Sequence, residues 1–176
     1  KAGPEACLPV GVVLTIAAAG SEMGNSAVIT NEETGQKRAL RRDLCRPKFA
    51  VMNPELTYTL PAYQTAAGCA DIVMHTLERY FTNEKTMEIT DGIAESLLRT
   101  VMHNGQILTR DPADYSARAE IMWAGSLGHN GLTSCGGGRG DWSCHQLGHE
   151  ISAMFDLAHG ASLTLLWGHW ARYVYR

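Results

Sequence analysis

Residues 68–78 read Gly-Cys-Ala-Asp-Ile-Val-Met-His-Thr-Leu-Glu, and residues 141–150 read Asp-Trp-Ser-Cys-His-Gln-Leu-Gly-His-Glu. Each stretch lies in a segment whose apolar residues recur with a helical period. Each also carries two potential ligand side chains four residues apart, Asp71 with His75 and His145 with His149. Because an α-helix turns once in about 3.6 residues, such a pair leaves one helix face and can bind one ion together. The two stretches therefore predict a helical domain that holds a metal.

A metal site is not the only interpretation of these pairs. An ordinary hydrogen bond on a solvent-exposed helix face would account for Asp71 and His75 taken alone. The metal interpretation is favoured because the arrangement occurs twice and because His159 follows where the second helix is expected to end. One carboxylate and three imidazoles suit Zn²⁺ or Fe²⁺ and do not choose between them. The other histidines have no partner at ligand spacing and are interpreted as structural: His103, His129 and His169.

Composition excludes several classes of protein. The 176 residues are 45% hydrophobic, with 15 Lys and Arg against 18 Asp and Glu for a net charge of -3. This describes one ordinary folded domain or a piece of a larger enzyme, and not a disordered chain. The slight acidity argues against a nucleic-acid partner. A local basic cluster of Lys37, Arg38, Arg41 and Arg42 is interpreted as solvated or phosphate-facing.

The five cysteines are an odd number and widely scattered, which favours reduced thiols and a cytoplasmic protein. No apolar run approaches the roughly 20 residues that span a bilayer, so no membrane partner is expected. Residues 8–19 resemble the apolar part of a signal peptide, but Pro4 and Glu5 stand where its basic segment should be. With no initiator Met and an abrupt end inside an expected helix, we expect the chain to be a fragment.

The remaining pattern predicts strands first and helices afterwards, with a boundary near residue 55. A buried strand is expected over 8–16, and short strands over 26–30 and 48–52. Helices are expected from near Pro61, over 87–108, from an Asp111 and Pro112 start, over 143–157, and from near Ala161 to the chain end. Between the first two strands, residues 15–22 form a turn rich in small side chains, which either admits a flat or phosphorylated ligand or simply packs on the core.

Other catalytic motifs fail in this sequence. His149-Glu150 begins like a zinc-protease motif, but Ala153 stands where its second histidine should be. The glycines at 136–138 lack the Gly-Lys-Ser/Thr of a phosphate-binding loop, and no nucleophile elbow is present.

Taken together, the sequence resembles the iron-containing alcohol dehydrogenase family, and within it the butanol-dehydrogenase-like, NADPH-preferring aldehyde reductases. The resemblance spans essentially the whole chain. It is found in the following segments: residues 14–23 and 27–30, Phe49-Ala-Val-Met-Asn-Pro54, Thr57-Tyr-Thr-Leu-Pro61, Gly68-x-x-Asp71-x-x-x-His75-x-x-Glu78, Asp141-Trp142-x-x-His145-x-Leu147-Gly148-His149-Glu150 and His159-Gly160.

The resemblance implies a fold and a set of functional residues. The fold would be an α+β fragment of dehydroquinate-synthase-like architecture: residues 1–55 form the short C-terminal edge of a Rossmann-like dinucleotide-binding domain, and 56–176 an incomplete, all-α metal-binding domain. The implied metal ligands are Asp71, His75, His145 and His159, with His149 beside the substrate. The positions that match the nicotinamide site are Thr15, Gly20, Ser21 and Lys37. The sequence departs from the family pattern at Ala17–Ala19, where many relatives have Thr or Gly, and at Asn53, which replaces a common Asp.

The implied activity is hydride transfer between NAD(P)H, with NADP(H) favoured, and an aldehyde, by a homodimer of the whole protein. A divalent metal, Fe²⁺ or Zn²⁺, would polarise the carbonyl oxygen. Family enzymes are more than twice as long as this chain, so the chain alone is expected to be inactive. The alternatives are a metal-dependent hydrolase, or a metal-binding helical module without activity.

Overall fold

The computed structural model describes residues 5–138 and 140–175, which form short strands followed by a bundle of helices. The strands are β1 (Gly11–Val13), β2 (Ser26–Thr30), β3 (Lys37–Arg41) and β4 (Phe49–Val51). The helices are α1 (Ala62–Tyr80), α2 (Glu88–Leu108), α3 (Tyr115–His129), α4 (Ser143–Phe155) and α5 (His159–Val174). The predicted change from strands to helices is therefore present, and the helix-rich chain is compatible with an α+β class.

The strands form two separate pairs. β1 runs parallel to β4, with Gly11 opposite Phe49, and β2 runs antiparallel to β3, with Ser26 opposite Arg41. The prediction of a buried strand over 8–16 is wrong, since β1 has three residues and Val13 is 59% exposed. The physical reason is that, within residues 5–138 and 140–175, β1 pairs with β4 alone, and a two-stranded sheet cannot cover its own faces.

β3 is a strand that the sequence pattern did not predict, because its charged residues were interpreted as a solvated or phosphate-facing cluster. Its partner β2 supplies the backbone hydrogen bonds, and pairing overrides a weak local preference for strand. The turn between them is set by Asn31, whose side chain accepts from the backbone N–H of Glu33 and Thr34. Gly35 completes the turn at a φ of +66°.

Two helix boundaries differ from the prediction. The first helical turn of α3 is capped by Asp114, whose side chain accepts from the N–H of Ala117 at 2.8 Å. Asp111, the predicted cap, instead accepts from Ala113 in the preceding turn. α4 ends at Phe155 and α5 begins at His159, so that His159 opens a helix rather than lying before one.

Helix α1 is buried on more than one side. Its apolar contacts with α2 and α3 centre on Ile72, which packs in a cluster with Leu97, Val101, Leu108, Ala117, Ile121 and Ala124. Another face of α1 buries the polar residues Asp71, His75 and Glu78, because it meets α5 and the side chain of His145.

Glycines bring neighbouring segments against the backbone of α1. A Cβ at Gly68 would lie 2.3 Å from the carbonyl oxygen of Ala17, and one at Gly160 would lie 1.9 Å from that of Ala67. The first contact holds the loop after β1, and the second holds the start of α5, directly after His159. These approaches place α5 where His159 can reach Asp71.

All five cysteines are free in the structure. Among the helices of residues 5–138 and 140–175, none combines the length and the apolar character needed to cross a membrane.

We predict that Gly68→Ala lowers the free energy of unfolding by about 1–3 kcal/mol, because the added methyl group collides with a backbone oxygen that cannot rotate away. The measurement is urea denaturation followed by circular dichroism. The matched control is Gly92→Ala in α2, where a Cβ meets open space. This control should raise stability by roughly 0.5–1 kcal/mol. Equal effects of the two substitutions would contradict the close contact at Gly68.

Candidate metal centre

Asp71 stands at the centre of a cluster of histidines. It lies in α1 and is 2% exposed. Its Oδ1 atom is 3.5 Å from Nδ1 of His75, 3.7 Å from Nε2 of His145 and 3.7 Å from Nε2 of His159. One helical turn supplies His75, while α4 and α5 bring the other two histidines from more than seventy residues along the chain. The sequence pairs are thus gathered around a single carboxylate oxygen.

Several donor atoms of this cluster are buried without a hydrogen-bond partner among the described residues. They are Oδ1 of Asp71, Nδ1 of His75, Nε2 of His145 and Nδ1 of His159. Leaving such groups unsatisfied costs about 1–3 kcal/mol each, so a cation bound by Oδ1 of Asp71, Nδ1 of His75 and Nε2 of His145 would remove a considerable penalty. The nitrogen of His159 that faces Asp71 is Nε2 and not the unpaired Nδ1. One ligand atom each from Asp71, His145 and His159 also lie within 4.8 Å of one another. The residues present therefore fit a divalent metal ion.

His75 lies at the edge of this group rather than within it. The set of mutually close ligand atoms contains Asp71, His145 and His159, and His75 is not a member. Its ring packs 4.3 Å from that of His129 and 4.4 Å from that of His145, measured between centroids. The structure thus gathers three of the four sequence-predicted ligands closely, and places His75 against the aspartate.

Glu78 fixes the orientation of His145. Its Oε2 atom accepts from Nδ1 of His145 at 2.5 Å, and its Oε1 atom accepts from the backbone N–H of the same residue at 3.1 Å. Because Nδ1 donates, Nε2 carries the lone pair and faces Asp71. The sequence analysis gave Glu78 no role. The available signal was its position seven residues after Asp71, two turns further along the same face of α1.

Burial and neighbouring charges act in opposite directions on the pKa values of Asp71 and of the histidines around it. Burial alone would raise the pKa of Asp71, but His75, His145 and His159 together hold it below its ordinary value. Burial lowers the pKa of His75 well below its usual range, and lowers that of His159 to about 4. For His145 burial acts in the same direction, but the nearby carboxylates of Asp71 and Glu78 outweigh it and raise the pKa. Neutral His75 and His159 imidazoles keep the lone pairs that a metal needs.

His149 lies beside the cluster and outside the group of three close ligands. It is half-buried on α4, and its ring stacks on that of His159 with centroids 5.0 Å apart. Burial lowers its pKa, with further lowering from the positive charges of Lys37 and His145. His149 is therefore a neutral imidazole that stacks directly on the ring of His159, a candidate ligand.

The four residues matched to a dinucleotide site are spread over the β-containing part. Lys37 reaches α4, where its Nζ donates to the hydroxyl of Ser152 at 3.4 Å. Thr15 and Ser21 are exposed. Gly20 is buried at a φ of +60°, and a Cβ there would lie 2.7 Å from Cβ of His129. Gly20 therefore packs against His129, whose ring contacts that of His75, and Lys37 reaches the helix that carries His149.

An arginine and a histidine border the cluster on its other side. Arg79 is 7% exposed and donates to the carbonyl oxygens of His75 at 2.6 Å and Gly128 at 2.9 Å. Its Nη2 atom also lies 3.1 Å from Nδ1 of His129. The sequence analysis assigned His129 a structural role, because only the packing of α3 on α1 brings it to His75.

Two family models match this sequence. Residues 65–176 match the C-terminal domain of the Fe-containing alcohol dehydrogenase family, and residues 1–54 match the iron-containing alcohol dehydrogenase model.

Curated relatives and solved structures agree with this match. The NADH-dependent butanol dehydrogenase A of Clostridium acetobutylicum is 48% identical over 167 residues, which cover 95% of this chain and 43% of that protein. The NADPH-dependent aldehyde reductase YqhD of Escherichia coli is 40% identical over 162 residues, covering 92% and 42%. The crystal structure of the NADH-dependent butanol dehydrogenase A of Thermotoga maritima superposes with a TM-score of 0.95 at 41% identity, covering 98% and 43%. The chain thus spans less than half the length of these relatives.

We predict that Glu78→Gln weakens the binding of Zn²⁺ or Fe²⁺ by roughly 10- to 100-fold, because the neutral amide no longer makes His145 a stronger base. Competition with a chromophoric chelator measures the change. Glu120→Gln, an exposed position on α3, removes the same charge and serves as the control. Unchanged affinity in Glu78→Gln would show that the carboxylate does not support the metal.

Proposed function

Since the chain belongs to the iron-containing alcohol dehydrogenase family, we propose that the whole protein transfers a hydride between NAD(P)H and an aldehyde. The observation that carries this proposal is the buried group of unsatisfied donors on Asp71, His145 and His159. The hydride goes to the carbonyl carbon and a proton goes to the oxygen, which yields a primary alcohol and NAD(P)⁺. A divalent metal, when bound, supplies Lewis-acid polarisation of that oxygen.

The proposed ligands are Asp71, His75, His145 and His159. The close distances of the first, third and fourth support their part in the set, while His75 is included on the family resemblance and on its contact with Asp71. This donor set suits Fe²⁺ and Zn²⁺ alike. Glu78 holds His145 in the tautomer whose Nε2 is free to bind.

His149 is proposed to deliver the proton to the oxygen that gains negative charge as the hydride arrives. His149 stacks on His159 and so lies beside the proposed ligands without being one of them. Because burial lowers its pKa, the ring is neutral and relays the proton: one ring nitrogen gives its proton to the oxygen while the other accepts a proton from water.

The cofactor part of the proposal rests on the resemblance at Thr15, Gly20, Ser21 and Lys37. We propose NADP(H) in preference to NAD(H), although the names of the relatives include both NADH and NADPH. Residues 1–55 would be the edge of the dinucleotide-binding domain and residues 56–176 part of the metal-binding domain. Because this chain matches less than half of its relatives, we expect it to be inactive by itself.

We also propose a homodimer, because of the family resemblance, and a cytoplasmic location, because of the five free cysteines.

The decisive test of the activity is the loss of reduced-nicotinamide absorbance when butanal is added to the metal-loaded whole protein. A metal-dependent hydrolase would instead turn over an ester without nicotinamide, and a metal-binding module would do neither.

We predict that His159→Ala empties the metal site, because it removes one of the three close ligands. Metal analysis of the purified chain after dialysis measures the content. His103→Ala, at an exposed position of α2, should keep full occupancy. Full occupancy in both variants would exclude His159 as a ligand.

We predict that His149→Ala keeps its metal while kcat of the whole protein falls by roughly 10²-fold or more, the usual contribution of a general acid or base. Metal analysis and steady-state reduction of butanal measure the two effects, with the exposed His169→Ala as control. Loss of metal in His149→Ala would make this residue a ligand, and an unchanged kcat would leave it a structural role.

A further inference from the structure

A polar cavity of about 400 Å³ lies beside the candidate metal centre. Its walls come from the β2 and β3 hairpin, α1, the end of α3 and the glycine loop before α4. Two wall residues touch ligand histidines: the ring of His129 is 4.3 Å from His75, and that of Trp142 is 5.1 Å from His145, between centroids. The cavity and the metal centre therefore share a wall one aromatic ring thick.

The charge of this cavity is strongly positive. Three arginines line it, Arg41, Arg46 and Arg79, and none of the described lining residues is a carboxylate. Arg46 is neutralised by Asp43 at 3.1 Å. Among the described residues, the ion pairs include neither Arg41 nor Arg79. Two guanidinium charges thus face the cavity without an acidic partner, and that of Arg79 is buried.

Arg41 and Arg79 both lie against the indole ring of Trp142. The guanidinium carbon of Arg79 lies 4.5 Å from the ring centroid of Trp142, and that of Arg41 lies 5.6 Å from it. Both groups carry a positive charge at neutral pH, as guanidinium groups in proteins do. The aromatic ring of Trp142 offsets part of the repulsion between the two guanidinium charges. An anion between the two guanidinium groups would offset the rest, since charge-assisted hydrogen bonds are the strongest available to them.

Two donors of the cavity, on Arg79 and His129, are held in place before any ligand arrives. The carbonyl oxygens of His75 and Gly128 fix Arg79. The Nη2 atom of Arg79 lies 3.1 Å from Nδ1 of His129. Because Arg79 donates to its Nδ1, the proton of His129 resides on Nε2 and makes it a further hydrogen-bond donor.

We propose that this cavity binds a carboxylate carried by the substrate, so that the whole protein acts on aldehydes with an acid group at the far end and on the matching hydroxy acids. The inference rests on the proposed function, because the carbonyl end would be polarised at the neighbouring metal centre. A phosphate of the dinucleotide shares the required chemistry. The substrate is favoured because the cavity walls touch His75 and His145, whereas Thr15, Gly20, Ser21 and Lys37 do not line it.

The kinetic test compares butanal with 4-oxobutanoate, which differs by its terminal carboxylate, in the metal-loaded whole protein. Arg41→Gln should lower the ratio of kcat/KM for 4-oxobutanoate to that for butanal by roughly 10- to 100-fold, the effect of losing one charge-assisted hydrogen bond. The ratio cancels any general damage to the metal centre. Arg38→Gln lies on the same strand, does not line the cavity and should leave the ratio unchanged. An unchanged ratio in Arg41→Gln overturns the proposal.

Binding experiments separate this inference from the proposed function. Calorimetric titration of the whole protein with 4-hydroxybutanoate should show binding that Arg41→Gln weakens by a similar factor. Such binding in a protein that reduces no aldehyde would support the cavity and contradict the dehydrogenase. Absence of binding to the wild type would overturn the inference. Weaker binding of NADPH or NADH in Arg41→Gln, with the substrate ratio unchanged, would assign the cavity to a cofactor phosphate and overturn it as well.

Discussion

The burial of one carboxylate governs the arrangement of the helical part of this chain. Asp71 is withdrawn from water and keeps one oxygen without a hydrogen bond among the described residues. A buried charge is tolerated only when opposite charge or strong donors surround it. Here one nitrogen each of His75, His145 and His159 lies within 3.7 Å of that oxygen. A cation bound between them would satisfy the unpaired atoms that face it. The close approach of α5 to α1 at Gly160 brings His159 to this carboxylate.

Helix α1 connects the stability of the fold with its chemistry. One side of the helix contributes Ile72 to the apolar cluster with α2 and α3, and another contributes Asp71 and Glu78 to the metal centre. Small residues allow both sides to be covered at close range, since Gly68 and Gly160 bring backbone against backbone. A ligand geometry set by a packed core resists distortion, because cores are dense and respond to added atoms by strain.

The two neighbouring sites differ in charge. The metal centre is built around the acids Asp71 and Glu78, and the adjoining cavity around Arg41 and Arg79. Aromatic and imidazole rings separate them, with Trp142 in contact with both. In the proposed function, this division would let one substrate place its carbonyl group at the metal and its carboxylate at the arginines, which would orient the molecule as well as bind it.

Features that depend on short spacing could be predicted from the amino-acid sequence. These are the change from strands to helices, the position of Asp71 and His75 on one face of α1, and a family resemblance that the two family models confirm. Contacts between distant side chains depend on how the helices pack. Glu78 reaches His145 across 67 positions, and Arg79 reaches His129 across 50. The strand β3 and the burial of polar residues on α1 also came from packing, because pairing and enclosure by other elements override local preference. A helical period fixes which residues share a face, whereas the contacts of that face depend on how whole helices pack.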